Sequence, residues 1–224
     1  MRTKALADAL AWEAARLADI AAGRCTRAAM LWSCETALVV PARLSRLPGF
    51  TRACARATNA GWPVQLRATG GDLVPQGHGI INLSVMFRWP LGAAASLEDA
   101  YGQLTVPIRE ALSDMGISSR HGSVPGAFCD GRFNVAVRSR KFAGTAQRWR
   151  PMAGGHAVQS HALILMRTPD EHMTETLNRF YRDCGIDRVI RADAHVGLLD
   201  LVSRDAAEAR QDRFLCKIAA AIAK

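Results

Sequence analysis

Cys129 and Lys141, twelve residues apart, are the pair in this chain with the most specific chemistry. They lie in residues 125–147, which read as turn, strand, tight link and strand. Cys129 sits in the turn. Alternation from Arg132 to Val137 predicts a strand, and Arg138-Ser139 predicts a two-residue hairpin loop. That register sets Ala136 opposite Lys141 and Val135 opposite Phe142. Asn134, Ala136, Lys141 and Ala143 then share one face, and Phe133, Val135, Val137 and Phe142 share the other, the core face. A strand lysine below a loop cysteine is a nucleophile with a cationic partner. An ammonium favours a neighbouring thiolate and can stabilise an oxyanion. The same two residues, taken alone, also read as a small buried hydrophobe and a solvated edge charge.

Two blocks separate these readings. Arg67-Ala-Thr-Gly-Gly-Asp-Leu-Val74 with Gly79-Ile-Ile-Asn-Leu-Ser84 resembles the R-x-[ST]-G-G-x-x-V…G-x-x-N-x-S signature of the catalytic domain shared by lipoate–protein ligases, octanoyltransferases and biotin–protein ligases. Arg140-Lys-Phe-Ala-Gly-Thr-Ala-Gln147 resembles the same family's K-[IF]-[AS]-G-[ST]-A-Q segment. Residues 127–144 look most like the octanoyl amidotransferases that take an acyl chain from a glycine-cleavage H protein. Cys129 falls on their acyl-accepting cysteine and Lys141 on their active-site lysine.

The resemblance implies an α+β fold, a mixed and mostly antiparallel sheet flanked by helices, over residues 1–224 as one catalytic domain without a C-terminal accessory domain. It implies Cys129 and Lys141 as catalytic residues. It assigns Arg67, Gly70, Gly71, Asn82, Asn134 and Gly144 to substrate binding. It implies transfer of an octanoyl or lipoyl group to a lysine of a lipoyl-domain protein through a Cys129 thioester, with no cofactor. Its partners are then acidic carriers, the glycine-cleavage H protein and dehydrogenase lipoyl domains. An ATP-dependent ligase, with ATP and Mg and with Lys141 holding an acyl-adenylate, is the alternative; a catalytically silent acyl-binding protein is another. Asp72 stands where many ligases have a third glycine, Pro75-Gln76 replaces a common aromatic-His pair, and Asn134 replaces an acidic residue. These departures weigh against ATP use more than against acyl binding.

Glycines at 70 and 71 allow positive φ and close backbone approach, and loop N–H groups of this kind bind a carbonyl or a phosphate. Gly77 and Gly79, placed before an apolar strand at 80–87, suggest a glycine-lined hairpin with room for methylenes.

Composition excludes several other classes. With 49% hydrophobic residues among 224, the chain is a globular protein with a sizeable core. No apolar run reaches membrane-span length, and acidic residues at 8, 13 and 19 interrupt any signal peptide; the expected location is cytoplasmic. Six scattered cysteines show no CxxC and no disulfide framework, and the histidines show no ligand spacing, so no metal site is expected. The net charge of +9 favours an acidic partner. The arginines are dispersed and lack interleaved aromatics, which argues against nucleic acid.

The positioning elements follow from periodicity. Leu6, Leu10, Leu17 and Ile20 predict a helix over 4–22. Residues 29–40 read as strand, turn, strand; 50–60 as a helix; 62–66 as a strand. The helix at 97–115 has Ser96 as N-cap with Asp99 behind it, and Pro107 is expected to kink or split it. Weak alternation over 157–166 predicts a strand buried on both faces. Helices at 171–183 and 203–223 close the chain, with Cys184 and Cys216 as core cysteines.

Overall fold

The structure is a computed structural model that describes residues 2–67, 70–90 and 97–223. In chain order its elements are β1 (Arg2–Thr3), α1 (Leu6–Ala21), β2 (Arg27–Ser33), β3 (Ala37–Pro41), α2 (Phe50–Asn59), β4 (Val64–Arg67), β5 (Val74–Gln76), β6 (Ile80–Pro90), α3 (Leu97–Ser113), β7 (Arg120–His121), β8 (Val135–Val137), β9 (Arg140–Met152), β10 (Gly155–Leu165), α4 (Glu171–Asp183) and α5 (Ala207–Ile222). Seven strands form the main sheet in the order β1-β2-β6-β10-β9-β8-β7, and three form a small sheet, β4-β3-β5. Among the described strands β1–β2 and β3–β4 pair parallel and the other ladders antiparallel, so the architecture is the expected mixed, mostly antiparallel α+β fold.

Strand parity sorts the core into two layers. On β10, Val158, Ala162 and Ile164 pack with Leu83, Val85, α3 and α5. Leu163 and Leu165 face the other way, toward Leu6 and Ala9 of α1 and toward the small sheet. Both faces of β10 are therefore buried, as its weak alternation predicts. The α1 side of the sheet is the side that carries the site.

Five expectations change. α3 runs unbroken through Pro107, whose ring is buried on the face that packs against the sheet; that packing holds the turn despite the missing N–H. Ser96 lies outside the described residues. The segment at 74–87 is no hairpin: β5 pairs with β3 and β6 with β2 and β10, so the glycine turn carries the chain between two sheets. Gly77 and Gly79 line a surface groove separate from the cavity described below. Cys216 is exposed, because the buried stripe of α5 is Phe214, Leu215 and Ile218; Cys184 is buried.

The fifth concerns the central hairpin. Arg138 and Ser139 both have positive φ, 49° and 62°, as a two-residue turn twisted to match its strands requires. Ala136 does oppose Lys141, but Val135 opposes Ala143, because the register shifts there. Phe142 is the extra residue of a β-bulge, and a bulge resets the alternation. Ala143 therefore joins Val135 and Phe142 in the core, and Gly144 takes its place beside Lys141. The ladder begins only at Val135. Phe133, before it, is half-buried and stacks on Tyr101 of α3 with ring centroids 4.2 Å apart.

Among the described residues no helix is long and apolar enough to cross a membrane.

Candidate active site

Cys129 stands at a sharp corner of the loop between β7 and β8. Its φ is 44°, a left-handed conformation that costs a non-glycine residue energy and needs surrounding contacts to hold it. Those contacts are plentiful. Phe128, just before it, is fully buried and stacks on His195 with centroids 4.5 Å apart. The Phe128 N–H donates to His195 Nε2 at 3.2 Å, so the imidazole proton sits on Nδ1 and donates to the Arg191 carbonyl at 2.9 Å. Burial, with Lys141 nearby, lowers the His195 pKa to about 4 and keeps the ring neutral.

Lys141 is fully buried beneath this corner. Its Nζ donates to the carbonyls of Phe128 at 2.5 Å and Cys129 at 2.8 Å, and lies 4.6 Å from the Phe128 ring centroid. Burial pulls its pKa down to about 8, opposed in part by the charges of Cys129 and Asp130. Asn134 completes the hold: its Nδ2 donates to the Cys129 carbonyl at 3.1 Å and its Oδ1 accepts from Thr145 N at 3.0 Å. The carbonyl of Cys129 is thus pinned from two sides.

The sulfur meets the loop after β4. The Asp72 N–H donates to Sγ at 3.3 Å. Gly71, at φ 93°, is pressed so close that an added Cβ would come within 3.0 Å of Sγ and 2.7 Å of an Arg67 nitrogen. Arg67 is buried and donates to the Asp72 carbonyl at 2.8 Å and to His161 Nε2 at 3.2 Å. The Asp72 carboxylate is ion-paired to Arg188, which also donates to the Ala127 carbonyl at 3.0 Å. Asp72 and Arg188 therefore clamp the glycine loop to the cysteine loop.

A narrow, mostly apolar pocket opens from Cys129. Trp32, Asn82, Leu163, Gly144 and Ala146 form its sheet floor, Leu6 and Leu10 of α1 its roof, and Val39 and Val74 of the small sheet a side wall. Its polar floor residues satisfy each other. Gln76 and Asn82 exchange two amide hydrogen bonds, at 3.1 and 2.7 Å.

Of the residues singled out in the sequence, Cys129, Arg67, Asn82 and Gly144 line the cavity. Lys141 and Asn134 lie behind Cys129, and Gly71 lies against its sulfur. Gly70 is exposed, with nothing within 4 Å of where a side chain would be. Sequence reasoning missed Phe128, His195 and Arg188. The aromatic beside the cysteine was a usable signal for Phe128. An isolated histidine and one arginine among many offered none.

Gly144 yields a direct prediction. A Cβ there would lie 2.7 Å from Lys141 Nζ and 2.9 Å from Cε, and the lysine is pinned by two carbonyls, so it must leave them to make room. Gly144→Ala is expected to reduce any activity that depends on Lys141 about 10- to 100-fold and, because two buried hydrogen bonds are lost, to lower the melting temperature, checked by steady-state rates beside thermal unfolding.

Glu13 of α1 is buried at the cavity edge. It accepts from Ser84 Oγ at 2.5 Å and Gln159 Nε2 at 2.8 Å, yet burial raises its pKa from 4.5 to about 7. Nearby His161 stays neutral, its pKa lowered to about 3 by burial and by Arg67. Between pH 4.5 and 7 the folded state holds the Glu13 proton and the unfolded state does not, so stability present below pH 4.5 is lost as pH rises through 7. The loss is about 3 kcal/mol. Urea unfolding across this range should show that decline, and Glu13→Gln should flatten it.

The lipoyl protein ligase A/B catalytic-domain model matches residues 5–207. The chain belongs to that family. An uncharacterized protein of Cupriavidus necator is 38% identical over 73% of this chain and 69% of its own length. The octanoyl-GcvH:protein N-octanoyltransferase of Kyrpidia tusciae is 33% identical over 67% of this chain and 54% of its own length, and that of Geobacillus kaustophilus is 26% identical over 72% and 56%. The chain thus spans about half the length of the octanoyltransferases it matches. Among solved structures, lipoate-protein ligase A bound with ATP superposes with a TM-score of 0.66 at 13% identity, over 98% of this chain and 83% of that one. A putative lipoate protein ligase from T. acidophilum with bound lipoic acid gives 0.60 at 14%, over the same shares. These two likenesses are of fold. In this lipoyl ligase A/B domain, the departures at 72 and 76 have structural employment: Asp72 clamps the cysteine loop and Gln76 supports Asn82.

Proposed function

We propose that this chain transfers an octanoyl or lipoyl group from a carrier protein to a lysine of a lipoyl-domain protein, through a thioester on Cys129. The observation that carries the proposal is the placement of Cys129: its sulfur lines an apolar cavity while its carbonyl is fixed by Lys141 and Asn134. The pocket's apolar lining suits a linear acyl chain, and each buried methylene contributes about 0.8 kcal/mol. In the first half-reaction, Sγ bonds to the acyl carbonyl carbon, the bond to the carrier's nitrogen breaks, and the thiol proton leaves with the amine. In the second, the acceptor amine attacks, the C–S bond breaks and a proton returns to sulfur. Two of the three N–H groups of Lys141 serve Phe128 and Cys129, which leaves one for the oxyanion formed in each step. With a pKa near 8, the same ammonium can pass a proton to a departing amine. The bond energy of the donor acyl group is carried through the thioester, so the reaction needs no ATP.

The loop at 70–72 supports this reading over the ligase one. Its Asp72 N–H is taken by Cys129 Sγ, and Arg188, a cation that a phosphate would use, is taken by Asp72 and Ala127. The residues there fit an acyl thioester better than an adenylate. The +9 net charge supports an acidic carrier as donor and acceptor.

Transfer from octanoylated H protein to a lipoyl domain without ATP, run beside ATP–pyrophosphate exchange with free octanoate or lipoate, tests the proposal. Transfer without exchange is expected. Exchange alone would replace it with the ligase reading. Tight acyl binding with neither activity would leave a binding protein.

A further inference from the structure

We infer that Arg88, Arg148 and Arg150 form a surface on which an acidic carrier domain docks while its acyl group is at Cys129. The inference rests on the acyl-transfer reading for the identity of that partner. On the pocket side of the sheet, side chains fall into rows across β6, β10 and β9. Asn82, Leu163 and Gly144, all pocket residues, make the row beside Lys141, and Ser84, His161 and Ala146 make the next. Met86, Gln159 and Arg148 follow, then Arg88, Ala157 and Arg150. The face that begins as the pocket therefore ends in arginines. Six residues of β9 at about 3.4 Å each set Arg150 about 20 Å from Gly144.

All three arginines are exposed, and among the described residues no carboxylate pairs with any of them. Ala157, between Arg88 and Arg150, brings no charge of its own. The last turns of α1 and the residues just after them add Arg16 and Arg24 against a single carboxylate, Asp19. Those turns pack on β6 and β10, with Leu17 and Ile20 against Met86 and Ala157, and leave Arg148 and Arg150 of β9 in solvent. β8 pairs with β9 only between Arg140 and Ala143, so from Ala146 onward no described strand covers the outer edge of β9. An open edge thus leads from the cysteine loop to the arginines. A small domain is about 30 Å across, so one seated with its acyl group at Cys129 can span the 20 Å between them. Clustered cations without counter-charges favour an acidic surface and steer its approach. Trp89 and Trp149, the aromatics of these strand ends, belong to the opposite face, so the arginines offer bases no stacking platform.

The test compares the full chain carrying Arg148→Glu and Arg150→Glu with the unchanged protein. Calorimetry at low and moderate salt measures binding of H protein and of a lipoyl domain, and steady-state rates measure transfer from octanoylated H protein. In the variant, carrier affinity should fall roughly tenfold or more and lose most of its salt dependence, and KM for the carrier should rise with kcat nearly unchanged. Octanoylation of Cys129 by the octanoyl thioester of a small thiol, too short to reach the arginines, should run equally fast in both proteins. Where the double reversal does not fold, Arg148→Gln with Arg150→Gln serves in the same comparison. A folded variant that binds both carriers as tightly as the unchanged protein overturns the inference and leaves the arginines as guards of an open strand edge. An unchanged protein that binds neither carrier overturns it too, as does a variant whose only loss is in binding a DNA or RNA oligonucleotide. Weakened carrier binding in a protein that never transfers an octanoyl group would keep the docking surface and remove the transferase reading.

Discussion

Replacing Cys129 with alanine is expected to lower acyl transfer roughly a thousandfold or more, as loss of a covalent nucleophile does. The fold should barely register the change. The side chain is 8% exposed and its sulfur accepts one hydrogen bond, from Asp72 N–H, so the stability cost is about 1 kcal/mol. The left-handed backbone supplies a control. At φ 44°, Cys129→Gly relieves strain that Cys129→Ala retains, so the glycine variant should be the more stable of the two and equally inactive. Rates of octanoyl transfer together with chemical unfolding separate these effects. A Cys129→Ala protein with near-normal transfer would remove the cysteine from the mechanism.

Lys141 should show opposite signatures in stability and activity over one pH window. Its pKa falls from 10.5 to about 8 because burial disfavours the ammonium. Between those values the unfolded chain holds the proton that the folded chain has released, so the lysine's contribution to stability rises with pH from about 8 to 10.5. Activity that depends on the ammonium declines over the same interval. Other buried groups, the raised thiols of Cys34 and Cys184 among them, titrate nearby, so the quantity to measure is the difference between wild type and Lys141→Met. The variant should lose roughly a thousandfold in transfer and lose the descending limb of the pH–rate profile. A limb unchanged in Lys141→Met would assign it to another group.

The fold was legible where pattern is local. Apolar spacing located α1 and α4 to within two residues, and the weak alternation of residues 157–166 correctly announced a strand buried on both faces. The positive-φ pair at Arg138 and Ser139 follows from a two-residue hairpin link. The bulge at Phe142 was not legible, because one extra residue in a ladder leaves no mark in composition, and it exchanged Ala143 for Gly144 beside the lysine. The supposed glycine hairpin at 74–87 failed for a related reason: a short turn between strands does not say whether they pair, and here they enter different sheets. Cys129 and Lys141 were visible through motif spacing. The tertiary contacts that hold them, His195 under Phe128 and Arg188 on Asp72, join residues 67 and 116 positions apart and needed coordinates. Asp72 and Gln76 looked like erosion in the sequence. In the fold each has a buried or half-buried partner.

The central claim is that Cys129 carries the acyl group. Intact-protein mass after incubation with octanoylated H protein, and separately with octanoyl-acyl-carrier protein, both without ATP, tests it most directly. The account predicts a gain of one octanoyl group from one of these donors, removed by hydroxylamine and absent in Cys129→Ala. A protein that transfers octanoyl groups with no such adduct, or that carries the adduct equally well in Cys129→Ala, would contradict it.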